Sequence, residues 1–215
     1  MAKISVGEHR AIGSWEKKAR RRQILEAAAE LLQSWSFTDI TMDRIAELAG
    51  VAKGTLYLYF RTKESLFLTL YEDRLRAWYC ELDEIATRTG GTVKSPDAAR
   101  VIASTLMARP ILRHLHGLLH SALGHNIDLD TMVEFRRRQH GLLSSLAPAL
   151  ARRIDGVSDN DSLRFLIRLE WVVGGLSWAA SASPALFRAL DENDLEIFQI
   201  DFEKELTEMI TALLR

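Results

Sequence analysis

The sequence predicts an all-α protein in two parts: an N-terminal unit of three helices containing a helix-turn-helix, and a larger C-terminal helical unit. Three observations carry this. Apolar residues recur at helical spacing through most of the 215 residues. No segment shows sustained two-residue alternation with β-branched enrichment, so no strand is expected. The stretch GVAKGTLYLYF, Gly50 to Phe60, reads as a short aromatic-rich helix close behind another short helix.

Ile24, Ala28, Leu31, Leu32 and Trp35 fall on one face of a first helix, expected from about Lys17 to Trp35. Ser36 to Asp39 reads as a turn. Thr41 is a good N-cap for a second helix that buries Ile45, Leu48 and Ala49. Gly50 ends that helix. The third helix begins near Lys53, and Arg61-Thr62 breaks it. Thr62 caps a fourth, expected to reach about Thr87. Gly90-Gly91 and Lys94-Ser95-Pro96 mark a loop. Further helices are expected at about 97–108, 110–122, 129–153, 161–181 and 193–214. Pro148 should kink or end the long one, because it removes a backbone donor and crowds the preceding turn.

Wound at about 100° per residue, the third helix puts Leu56 and Phe60 on one edge and Leu58 opposite, beside Gly54 and Thr55. Tyr57 and Tyr59 take the flanks. Leu56 and Phe60 can enter a core, which leaves a small, smooth outer face between two phenolic hydroxyls. In a helix-turn-helix the second helix enters the major groove of DNA. Gly54 lets the backbone approach closely, Thr55 can bond a base edge, and Leu58 can meet a thymine methyl. Tyr57 and Tyr59 reach the flanking strands. Lys63 and Thr41 sit at helix starts suited to phosphate, where they would set register, while Lys53, Thr55 and Leu58 read sequence. Charge agrees: residues 1–63 hold 11 Lys/Arg against 7 Asp/Glu, and the remainder 17 against 22, within a net charge of −1. A basic head on an acidic body suits an anionic partner.

The stretch TMDRIAELAGVAKGTLYLYFRTKESLF, Thr41 to Phe67, resembles the DNA-binding domain of the TetR family of bacterial transcription regulators. The likeness covers about residues 20–68 and includes Ala49-Gly50-Val51, Gly54-Thr55-Leu56-Tyr57, Tyr59-Phe60 and Lys63-Glu64. Two positions depart from the pattern. Ser36 stands where such sequences often have Gly, and Ala52 where they often have a capping Ser that touches phosphate. The resemblance implies a basic arm over 1–16, a DNA-binding domain over 17–63 and an effector-binding and dimerisation domain over 64–215. It implies a homodimer on a palindromic double-stranded operator, released by a small-molecule effector, in the cytoplasm and on the nucleoid when bound.

The last two helices are apolar enough to need cover. Leu166, Leu169, Val173, Leu176 and Ala180 line one, and Phe198, Phe202, Leu206 and Met209 line the other. We expect them to pair with their two-fold mates, the common way to cover such a surface. The resemblance implies a pocket among the middle helices, for which Trp78, Met107, His114, Leu118, Phe135, Trp171 and Trp178 are candidate linings. An alternative is a DNA-binding interaction protein of the same fold, controlled by a protein partner rather than a metabolite.

Other chemistry is thinly represented. There is no Gly-rich phosphate loop, nucleophile elbow or paired histidine-carboxylate zinc motif, so no enzyme is expected and no cofactor. His116 and His120 share a helix face but lack an evident third ligand, so no metal is expected. The Arg136-Arg137-Arg138 run reads as a solvated helix face. One cysteine, Cys80, allows no internal disulfide. The longest uncharged run, Trp171 to Phe187, falls short of the roughly 20 apolar residues that span a bilayer.

Overall fold

The computed structural model describes residues 6–88, 90–124, 126–181, 195 and 198–215, with the backbone alone for residues 6–14 and 120. Among them are nine α-helices and no strand. The helices are α1 (Val6–Ser34), α2 (Met42–Leu48), α3 (Lys53–Tyr59), α4 (Lys63–Arg88), α5 (Ser95–Met107), α6 (Pro110–Leu118), α7 (Leu129–Arg153), α8 (Asp159–Ala180) and α9 (Phe202–Leu213). A π-helical turn, Leu119–Leu123, follows α6. Contacts divide the chain into two compact units, Met1–Leu70 and Tyr71–Arg215, and the division falls inside α4.

In the first unit, Ile24, Ala28 and Leu32 of α1 meet Ile40, Ile45, Leu56 and the start of α4 in one buried core. Phe37 and Phe67 close it edge to face, 5.2 Å between centroids. Burying each such large apolar side chain stabilises the unit by roughly 1.5–3 kcal/mol. The turn at Ser36 is tied by its hydroxyl, which donates to Asp39 Oδ2 at 2.6 Å and accepts from Asp39 N at 3.3 Å. Serine therefore holds this turn through its side chain, without a glycine. Thr62 caps α4 as expected, accepting from Ser65 N at 3.0 Å.

In the second unit α8 packs on α6 and α7, and α9 packs on α5 and α8. Gly117 makes the first of these approaches possible: a Cβ there would lie 3.1 Å from Trp178 N. A single parallel bridge joins Val93 to Ile154. It fixes the loop before α5 against the end of α7 through Val93 N to Arg153 O (2.8 Å) and Asp155 N to Val93 O (3.0 Å).

Three element boundaries differ from expectation. The first helix begins at Val6 rather than near Lys17, because residues 6–16 contain no proline and no turn cluster to stop it. α7 runs through Pro148 to Arg153. Its neighbours Leu146, Ala147, Ala149 and Leu150 are all buried, and that burial outweighs the ~3 kcal/mol a helix-interior proline costs. The last helix begins at Phe202, not 193. Asp201 is its N-cap, accepting from Lys204 N at 3.1 Å. The end of the uncharged run, residues 182–187, and residues 193, 194, 196 and 197 lie outside the described residues.

Candidate nucleic-acid interface and effector-domain sites

The α2–α3 pair is held from behind. Gly50 takes φ +61°, and the amides of Gly50 and Val51 close the end of α2 onto Glu47 O and Ala46 O, 3.0 Å each. A side chain with Cβ would strain that backbone. From α1, Gln23 Nε2 donates to Ala49 O at 2.6 Å. Leu56 and Phe60 are buried as expected. Leu58 is 85% exposed and Tyr57 44%, with Tyr59 and Thr55 half-buried beside them. A Cβ added at Gly54 would meet nothing within 4 Å, so that face is open. Ala52 caps α3 with no side-chain hydrogen bond.

Two of the lysines named above are already engaged within the unit. Lys53 Nζ sits 2.7 Å from Asp43 Oδ1, and that hydrogen-bonded carboxylate raises its pKa. Lys63 is a correction to expectation. Its ammonium donates to the carbonyls of Phe37 (2.6 Å) and Ile40 (2.9 Å) and lies 4.2 Å from the Phe37 ring centroid. Burial lowers its pKa. It satisfies the orphan carbonyls of the α1–α2 turn, a structural task in place of a phosphate-facing position. Thr41 caps α2, accepting from Arg44 N at 3.3 Å. Arg44 went unnoticed in the sequence. It lies 4.0 Å above the ring of half-exposed Trp35 and donates to Asp39 O at 3.0 Å. Its place in the first turn of α2, next to the cap, was the available signal.

The second unit gathers its polar chemistry around Glu170, which the sequence reading missed. This buried carboxylate of α8 accepts from Tyr71 Oη (2.9 Å), from Tyr79 Oη and from Gln139 Nε2 (3.1 Å). His116 Nε2 stands 3.5 Å away, an ion-pair distance too long for a good hydrogen bond, while Nδ1 pairs with Leu112 O at 2.9 Å. Burial pushes the Glu170 pKa up, but the facing imidazole and the two phenols more than offset this and hold it below the usual carboxylate value. Burial, then the carboxylate, push both tyrosines well above theirs. The only advance signal was a lone Glu on the buried face of an apolar helix.

The candidate pocket linings separate into two groups. Trp78 and Phe135 are buried around this cluster, with the Trp78 indole donating to Thr105 Oγ1 at 3.0 Å. Met107, His114 and Leu118 are half-buried, and burial lowers the His114 pKa. Trp171 and Trp178 are not pocket linings: they are 65% and 64% exposed and frame a surface hollow with Ser121, Gly174 and Gly175. The expected dimer face is corrected in the same way. Leu166, Leu169, Val173, Leu176, Phe202 and Leu206 are buried within the unit. Ala180, Phe198 and Met209 are exposed. The helix α8 has two apolar faces, and the richer one covers the core. Arg164, Arg168, Trp171, Gly175 and Trp178 form the uncovered stripe.

Among the described residues no group of three metal-ligating side chains forms, and the side chains of His120 and His125 lie outside them. Arg138 binds Glu72 at 2.6 Å and Arg136 donates to Gln139 at 2.8 Å. Cys80 is exposed. No helix is long and apolar enough to cross a membrane among the described residues.

A helix-turn-helix unit joined to a separate all-helical unit is the build of a DNA-binding regulator with its own sensing domain. Residues 24–70 match the family profile "Bacterial regulatory proteins, tetR family", and residues 72–215 match "Tetracyclin repressor-like, C-terminal domain". The chain belongs to the TetR family of transcription regulators. Among curated relatives, the fatty acid metabolism regulator protein of Bacillus subtilis is 28% identical over 122 residues, 57% of this chain and 56% of that protein. The chain thus spans about half the length of that relative. A TetR regulator from Rhodococcus sp. RHA1 shares the fold at TM-score 0.55, with 20% identity over 93% of this chain and 96% of that one. The Bacillus subtilis regulator FadR, solved with stearoyl-CoA, does so at 0.53, with 16% identity over 90% and 96%.

Proposed function

We propose that this TetR-family regulator is a repressor: it binds a palindromic operator as a homodimer, and a small-molecule effector releases it. The observation that carries the DNA reading is the outer face of α3, where Leu58 stands almost fully exposed over an open Gly54. An apolar side chain held out on a capped, core-anchored helix suits a thymine methyl in the major groove. Thr55, Tyr57 and Tyr59 bracket it, and Lys53 and Thr41 lie at the helix starts. A two-fold dimer would set two such helices about 34 Å, or a multiple, apart. For the dimer we propose the uncovered α8 stripe of Trp171, Gly175 and Trp178, continued by Met209 of α9, all of them exposed. Since FadR was solved with stearoyl-CoA, acyl thioesters head the effectors to test.

The test is selection of genomic fragments by the purified protein, followed by gel shifts on the recovered site. A short palindrome is expected. Leu58→Ala should relax preference at one base pair per half-site, at a cost of about 1 kcal/mol or more. Unchanged preference would remove Leu58 from the reading surface, and scattered enrichment would remove the operator-binding dimer.

A further inference from the structure

A site outside the predicted linings lies where the second half of α4, the start of α5 and the end of α7 meet. Leu82, Ile85, Val93, Val101, Ile102 and Ile154 wall a groove of about 550 Å³, within the roughly 300–1,000 Å³ usual for ligand sites. Its remaining walls are also apolar, except for Asp97 and Arg153. Asp97 is neutralised by its ion pair with Arg100. At the Arg153 end the groove adjoins a second hollow, which shares Ala86 and Arg153 and adds Thr87, Gly91, Thr92 and Arg152. Arg153 is buried and binds the Gly90 and Gly91 carbonyls, so it shapes this mouth. Arg152 is exposed and has no acidic partner among the described residues.

A greasy slot that opens at one end onto an unpaired guanidinium and two threonine hydroxyls matches one ligand chemistry. The match needs a linear apolar tail and an anionic head. Apolar burial supplies most of the affinity and the cation fixes the orientation. We propose that this groove binds a single medium- or long-chain acyl group, tail between α4 and α5, with its carboxylate or phosphate head at Arg152. The Val93–Ile154 bridge holds the two walls in register, so the slot exists before the ligand arrives. This inference rests on the reading of residues 72–215 as an effector-binding domain, and it assigns that domain a binding site and a ligand class.

Calorimetric titration of the full chain with dodecanoate, dodecanoyl-CoA and dodecanol tests it, with thermal melting as a fold control. At least one of the two anions should bind one per chain. Val101→Trp, at an exposed wall position, fills the slot and should weaken that anion at least tenfold. Arg152→Glu should weaken it severalfold and leave dodecanol unchanged. The stronger anion tells a free acid from a thioester. Failure of both anions to bind, or binding that Val101→Trp leaves intact, overturns the site. If Arg152→Glu affects dodecanol and the anions alike, the head assignment falls. Operator gel shifts with the same ligands separate the two readings. An anion that binds in the groove yet never releases DNA keeps the site and removes its effector role. Release by another compound, with neither anion bound, removes the site and keeps the repressor reading.

Discussion

Glu170 shows how much of this molecule is decided by single buried groups. Its carboxylate is ionised in the folded state, with a pKa below its ordinary value because His116 and two phenols face it. Unfolding returns that pKa to about 4.3. The unfolded chain therefore binds the proton more readily below that point. The Glu170 contribution to stability is complete above the unfolded value and is lost as pH falls through the folded one. Melting followed from pH 7 to pH 3 should show wild type losing stability in that acid window, and Glu170→Gln losing less of it. Lys63 is the second such group. Lys63→Met would leave the Phe37 and Ile40 carbonyls without their donor and should cost the first unit about 1–3 kcal/mol, read in urea melts. If the variant melts like wild type while DNA binding weakens on all sequences, the lysine works on phosphate after all.

At the scale of elements, α3 is short and lacks a side-chain cap. Ala52→Ser should add one and stabilise the first unit by about 1 kcal/mol; an unchanged melt would mean water already serves those amides. The α2–α3 region was legible in the sequence because its logic is local. Thr41, Gly50, Leu56 and Phe60 act within a few residues of one another. The Glu170 cluster was not, because its partners come from α4, α6, α7 and α8 and meet only after packing. The two faces of α8 fall between these cases. Periodicity reveals an apolar stripe, but not which of two stripes the rest of the chain will cover. Richness in leucine pointed inward, and the tryptophans that looked like pocket linings point out. The groove walled by α4 and α5 was hidden for another reason: its mouth depends on a backbone bridge between Val93 and Ile154, which leaves no mark on side-chain pattern.

For the whole molecule, assembly should rest on the α8 stripe. Removing α9 would be a poor test, since Phe202, Leu206 and Ile210 are buried in the unit and their loss would damage the fold. Trp171→Glu, at a 65% exposed position, should leave melting of the monomer intact and shift sedimentation from dimer to monomer. A dimer that survives it would place the two-fold axis elsewhere. Operator affinity should fall with the dimer, since half the contacts are lost. The Asp43–Lys53 pair carries one more consequence. Most DNA-binding lysines shed a condensed small cation from the duplex when they reach a phosphate, and that release makes affinity fall steeply with salt. Lys53 comes to the duplex already neutralised by a carboxylate of its own chain. Turning to a phosphate would exchange one fixed anion for another and leave Asp43 facing the backbone charge. This head should therefore lose less affinity to added salt than a tally of its lysines suggests, and keep its grip where ionic strength fluctuates.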